Sequence, residues 1–251
     1  MKVMGYELPL MSSLIVWAIL WEILGQMDVS ILLPPLSAVL VKMVEIIPTQ
    51  AFLSALAVTA RGFLTGTILA ALIGVPLGIL MGKSIIVDRM LLPWVNMFLS
   101  APLSALVPVL MVLFGIGEQT VIITTLLFAV WIIMLNARAG VMQISPSLVE
   151  MARSFGATPW QAFREIYFWA ALPEIIAGVR IGLLRAVKGV IIGQLLVSII
   201  GFGRLFELYS TNFLMPHFWA ILLVLFFFAF LFAEIFAVLE RRVRYYASNR
   251  T

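Results

Sequence analysis

The chain has 251 residues, of which 63% are hydrophobic and 11% charged, with a mean hydropathy of +1.15 and a formal charge of +4. Soluble domains carry roughly 25% charged residues, so most of this chain cannot present a water-facing surface, and it reads as an integral membrane protein. It contains no cysteine and one histidine, His217, which excludes thiol catalysis, disulfide frameworks and metal sites rich in Cys or His.

Lys2 precedes an apolar run from Leu10 to Leu24. The following Gly25-Gln26-Met27-Asp28 offers no small-x-small cleavage pattern, so a retained first span is expected rather than a removed leader. Apolar runs of roughly 20 residues can cross a bilayer as helices. They place spans at about 10–25, within about 52–81, and at about 93–114, 120–142, 173–200 and 218–239. The expectation is an all-α membrane protein of about six spans. Residues 1–50 form the first span and an outer connection, and residues 51–251 form a core of five spans that carries a loop at 143–172.

Charge sets the orientation. Segments 1–9, 82–92, 138–172 and 240–251 hold Lys2, Lys83, Arg89, Arg138, Arg153, Arg164, Arg241, Arg242, Arg244 and Arg250, whereas the alternate segments hold only Lys42 and Arg204. Positive residues accumulate on the cytoplasmic side, which predicts that both termini and the 138–172 segment are cytoplasmic. Glycines at Gly62/Gly66, Gly74/Gly78/Gly82, Gly178/Gly182 and Gly189/Gly193 recur every fourth residue. Each series lies on one helix face, where backbones can approach closely.

Several motifs fail on inspection. Gly78-Ile79-Leu80-Met81-Gly82-Lys83-Ser84 has three residues between its glycines where a phosphate-binding loop needs four, and it follows a membrane helix rather than a strand. His217 stands alone at an outer-loop boundary, so no Ser–His–Asp arrangement forms. The run Phe226-Phe227-Phe228 reads as packing or lipid-facing surface. Arg241, Arg242 and Arg244 follow the last span and read as a topology anchor rather than a nucleic-acid patch.

The longest polar interruption runs from Glu150 to Gly182. Pro146 can open a helix, Gly156 permits a turn, and Thr158-Pro159 is a cap followed by a first-turn proline. Beyond it Trp160, Phe163, Ile166, Tyr167 and Ala170 fall on one side at helical spacing. Two short helices with an apolar ridge suit a groove on another protein or a membrane surface, and physical reasoning alone leaves both open.

The segment resembles the cytoplasmic loop of permeases of ATP-binding-cassette (ABC) importers, written Glu-Ala-Ala, three residues, Gly, and after nine more Ile-x-Leu-Pro. Glu150, Ala152, Gly156 and Ile166 fit that spacing, while Met151 and Phe168-Trp169 depart from it. Leu172-Pro173 stands where the nitrate/sulfonate/taurine branch places a second Leu-Pro. Leu33-Pro34-Pro35, Ala101-Pro102, Val107-Pro108, Phe114-Gly115-Ile116-Gly117 and Gly201-Phe202-Gly203 are similar to that branch in order and spacing.

The resemblance implies the type I importer permease fold, in a bacterial inner membrane. It implies a non-enzymatic subunit that pairs with a second permease copy, two cytoplasmic ATP-binding subunits and an extracytoplasmic substrate-binding protein. It implies no cofactor in this chain, with ATP and Mg held by the ATPase partners. Glu150, Ala152, Gly156, Trp160 and Phe163 would form the ATPase-coupling loop, and Pro173 would set the exit into the fifth span.

That span carries Arg180, Arg185 and Lys188, with Gln194 further along. At 100° per residue Lys188 lies about 80° from Arg180 and Arg185 about 60° beyond it, so the cations share one broad face. A basic residue at mid-bilayer costs roughly 2.5–3.5 kcal/mol on insertion scales and therefore faces a cavity or a partner. Two readings follow: a pathway for a small anionic solute such as a sulfonate, taurine, nitrate or carboxylate, or neutralisation of Glu22 and Glu234. Arg180 can also snorkel to the interface. An ion-coupled carrier or channel using these charges is the alternative function, but it has no need of a docking loop.

Overall fold

The computed structural model describes the backbone of residues 2–3, 6–7, 10–197 and 199–248. The side chains of Lys2, Arg241, Arg242 and Arg244, and all of Arg250, lie outside the described residues. Two short antiparallel strands, β1 (Lys2–Val3) and β2 (Tyr6–Glu7), precede a helical bundle.

The helices are α1 (Leu10–Gln26), α2 (Leu36–Ile46), α3 (Gln50–Lys83), α4 (Ile85–Ser100), α5 (Val107–Phe114) and α6 (Glu118–Met142). They continue as α7 (Pro146–Ser154), α8 (Pro159–Ala162), α9 (Phe168–Val197), α10 (Gly201–Thr211) and α11 (Met215–Ser248).

The bundle is organised around α6, which lies between α3 and α9. Glycines on both neighbours face it. An added Cβ at Gly66 would lie 2.6 Å from Thr125 Cβ, and one at Gly182 would lie 2.5 Å from Ile133 Cγ1. At Gly78 the obstacle is the Met134 carbonyl itself. The four-residue glycine series are therefore contact faces, as their spacing predicts. A shared core fills the remaining space, with Phe63, Met81, Val95, Val130, Ile133, Met134 and Val190 buried.

Polar residues inside these spans return their donors to the backbone. Thr124 Oγ1 and Thr125 Oγ1 donate to the carbonyls of Thr120 and Val121, each at 2.7 Å, which satisfies them where no water is present. A second core joins α2, α10 and α11 to the start of α3 through Val39, Phe52, Phe202, Phe206 and Ile221. The Leu33-Pro34-Pro35 stretch is held here by two indoles. Trp21 Nε1 donates to Pro34 O at 3.0 Å and Trp219 Nε1 to Leu32 O at 2.8 Å, with the rings 5.1 Å apart.

The expected third span departs from the sequence reading. Instead of one helix at 93–114, α4 begins at Ile85 after a single-residue turn capped by Ser84, and the chain bends by 97° between Ser100 and Leu103. Pro102 has no amide donor and forces Ala101 out of the helical region, to φ −71° and ψ 146°. A short 3₁₀ turn at Leu103–Leu106 then leads into α5, with Pro108 in its first turn. The fifth span also differs, because Pro173 lies inside α9 rather than at its start.

Replacing glycine by alanine in a helix gains about 1 kcal/mol of propensity, whereas overpacking a tight contact costs about 1–3 kcal/mol. At Gly62 an added Cβ meets Val121 at an ordinary 3.4 Å, so Gly62→Ala should hold or raise the thermal midpoint of the detergent-purified protein. Gly78→Ala, pressed against backbone, should lower it.

Candidate functional site

The loop between α6 and α9 is built from local capping chemistry. Gly156 adopts φ +75°, and its N–H donates to Arg153 O at 2.9 Å while Ala157 N–H donates to Ala152 O at 3.0 Å. This pair of bonds around a left-handed glycine is a Schellman stop for α7. Two residues later the chain restarts with a reciprocal capping box. Gln161 N–H donates to Thr158 Oγ1 at 3.3 Å and Thr158 N–H to Gln161 Oε1 at 2.8 Å. The expected cap at Thr158 and turn at Gly156 are both present.

From Pro159 the helix runs on through one wide π turn at Phe163–Tyr167 directly into α9. The apolar ridge expected on α8 divides. Phe163 and Tyr167 pack inward against Ile79, Ala137, Val141, Ala171 and Ile175. Trp160 stays 68% exposed and stacks on Phe163 at 5.5 Å, and Phe155 is 85% exposed. Ala152 is buried, while Glu150 is exposed. The turn therefore presents two bare aromatic rings, with Arg153, Arg164 and Glu165 around them also exposed.

A second feature lies within the bundle. Where the third span breaks, a cleft of about 340 Å³ opens between the break and α9, lined by Phe98, Pro102, Ser104, Phe128, Arg185 and Lys188. Phe98 is fixed by stacking on Trp131, with centroids 4.4 Å apart and planes 5° from parallel. Lys188 is exposed and Arg185 half-buried. Among the described residues neither makes an ion pair with an acid. Glu22 accepts hydrogen bonds from Gln26 Nε2, Ser37 N and Ser37 Oγ at 2.8–2.9 Å, and Glu234 is exposed. No ion pair joins Arg185 or Lys188 to Glu22 or Glu234 among the described residues.

The other two residues expected with these cations stand apart. Arg180 is half-buried nearer the loop and does not line the cleft. Gln194 is 1% exposed, and its carbonyl oxygen accepts from Thr59 Oγ1 at 3.0 Å and from Phe202 N–H at 3.1 Å. Gly201 and Gly203 close against it, leaving no room for a Cβ. Gln194 ties α3, α9 and α10 together in the interior.

One partly buried pair escaped the sequence reading. Arg138 Nε and Nη2 donate to the two carboxylate oxygens of Asp88 at 2.5 and 2.7 Å. Fifty residues separate the partners, so no local spacing could have linked them.

A multi-pass helical bundle with an exposed helical loop at one end and cations opening into an internal cleft has the form of a solute-translocating subunit. The chain belongs to the family of binding-protein-dependent transport system inner membrane components, whose profile matches residues 74–245. Members are transport components rather than enzymes, and the chain is accordingly a multi-pass inner-membrane protein.

It is 32% identical over 176 residues to the taurine transport system permease protein TauC of Escherichia coli (strain K12), covering 68% of this chain and 64% of TauC. It is 32% identical over 201 residues to the glycine betaine/proline betaine permease protein ProW of the same organism, covering 79% of this chain and 54% of ProW. The matches thus span about half to two thirds of these relatives. Among solved structures, inward-facing MetNI methionine ABC transporter matches with a TM-score of 0.62 at 24% identity, over 77% of this chain and 95% of that one. The fold is that of the type I ABC importer permeases.

Because the chain has no cysteine, the cleft is open to a direct check. Lys188→Cys should react readily with a charged, membrane-impermeant thiol reagent. Leu72→Cys, at an exposed apolar position of α3, should stay unlabelled in the bilayer.

Proposed function

We propose that the chain is the permease subunit of an ATP-driven importer, in which two permease copies enclose the solute pathway and each loop seats in a groove of an ATP-hydrolysing subunit. The observation that carries this reading is the loop turn itself. A rigid Schellman turn and capping box hold Phe155 and Trp160 out into solvent at the end of a helix continuous with a membrane span. Exposing two large aromatics forfeits hydrophobic burial unless a partner covers them. A helical element with apolar anchors is a familiar way to fill a groove. Nucleotide-driven closure of the partners would then bias the bundle between inward-open and outward-open states. On this reading the loop and both termini are cytoplasmic, and a binding protein delivers the solute to the outer face.

The pathway runs past Arg185 and Lys188. Taurine carries a sulfonate, and glycine betaine and proline betaine carry a carboxylate, so the solutes in these two relatives' names share an anionic group. Two cations without acidic partners among the described residues, in a half-enclosed cleft, suit such a group. The substrate is a small solute bearing a sulfonate or carboxylate.

Co-purification from the native membrane, followed by mass identification, tests the assembly. An ATP-binding chain should be recovered in equal amount with the wild type. A side chain in the left-handed region costs roughly 1–2 kcal/mol, so Gly156→Val should reduce that recovery about fivefold or more. A protein that purifies alone and moves ions when reconstituted alone would refute the reading. Lys188→Ala should abolish ATP-dependent uptake of taurine or glycine betaine, whichever the wild type accepts, while leaving assembly and basal ATP hydrolysis intact.

A further inference from the structure

The bidentate pair of Asp88 and Arg138 is the most enclosed charge contact among the described residues, with side chains 11% and 18% exposed. Such a pair adds little net stability, because desolvating two charges offsets their attraction, and a well-packed apolar pair would serve as well. What it supplies is a directional tie between two particular backbones. Its position gives that tie a use.

Arg138 stands one turn before the end of α6, where the chain leaves for the exposed loop. Asp88 lies in the first turn of α4, whose far end, at Phe98 and Leu99, forms one wall of the cationic cleft beside the break at Pro102. The distance from Asp88 to that wall is about 15 Å along the helix at 1.5 Å per residue. Pro93 interrupts the hydrogen-bond ladder between these ends, but Val95 beside it is fully buried and holds that stretch against the core. The same corner is gripped from the loop side, where Lys83 Nζ sits 5.5 Å from the centroid of the Tyr167 ring.

We propose that the Asp88–Arg138 ion pair is a positioning contact that carries displacement of the coupling loop into α4, and so into the broken span that walls the cleft. The inference rests on the importer reading above, because it needs a loop that moves with nucleotide. Asp88 and Arg138 touch no solute. They act by making α4 follow α6.

The test uses the whole transporter, purified with its ATP-hydrolysing subunits. A single Ser104→Cys reports on the cleft wall, and a charged thiol reagent is the probe. In this parent, the labelling rate should change at least about fivefold between nucleotide-free and ATP–vanadate-trapped states, the low end of ordinary coupling between sites. Asp88→Asn or Arg138→Gln should abolish that change while ATP hydrolysis and co-purification persist. The exchange Asp88→Arg with Arg138→Asp should restore it.

Single variants that keep the nucleotide-dependent change, or an exchange variant that fails to regain it, would overturn the proposal. Loss of co-purification in both single variants would mark a purely structural contact and overturn it as well. A parent whose labelling ignores nucleotide would refute the importer reading itself and this inference with it.

Discussion

Close backbone contact of α6 with α3 on one side and α9 on the other is the constraint on which the molecule depends. Lipid tails are as apolar as leucine, so helices in a bilayer gain no hydrophobic free energy by meeting each other. They associate through van der Waals contact, which requires small residues at the seam. Gly66, Gly74, Gly78 and Gly82 on α3, and Gly178, Gly182 and Gly189 on α9, provide that seam along most of the length of α6. Three consequences follow. The spans have one register, because a ridge of Thr125, Ile133 and Val141 faces the glycine gaps. The loop from Pro146 to Tyr167 joins the two most tightly packed helices, so it is anchored at both ends. A push on that loop therefore reaches packed helices rather than slack chain.

Polar groups complete the division of labour. In hydrocarbon every unsatisfied donor or charge is expensive, and the described spans dispose of most of them locally. Thr124 and Thr125 bond to carbonyls one turn back. Gln194 bridges two other helices through its carbonyl, and Asp88 takes up Arg138. Against that pattern Arg185 and Lys188 stand out, since among the described residues no carboxylate pairs with them and both line an open cleft. Stability alone gives no reason to keep two cations there, which is the ground on which the pathway is proposed to pass them.

The parts of this arrangement that are legible in sequence are those set by local physics. Apolar run length marks the spans, four-residue glycine spacing marks the contact faces, and Gly156 with Thr158-Pro159 marks the loop turn, because each effect acts within a few residues. What escapes is decided across the chain. Ala101-Pro102 is visible as a motif, yet a 97° break differs from a mild kink only through what packs on either side. Trp160, Phe163 and Tyr167 share a helical stripe in projection. The π turn at Phe163–Tyr167 and the core beneath it turn the latter two inward and leave Trp160 outside. Gln194 shares a helix with the cations, but the glycines at Gly201 and Gly203 fold α10 over it and enclose it.

The broken span and the cationic cleft explain one another. Breaking a helix inside a membrane frees backbone carbonyls and amides, which is tolerable only where the irregular stretch is covered by protein or lines a wet cavity. Ala101 to Ser104 lines the cleft that Arg185 and Lys188 also line. A cavity that hydrated the freed backbone would also hydrate Arg185 and Lys188, and the insertion penalty that bars cations from lipid would then not apply at that site. Had α4 and α5 formed one straight helix, the cleft would close and both cations would need acidic partners. On the proposed reading, the bend at Pro102 is what lets two cations without an acidic partner among the described residues face the cleft. A movement of α4 that altered the bend would change the hydration of those charges and the space beside them together.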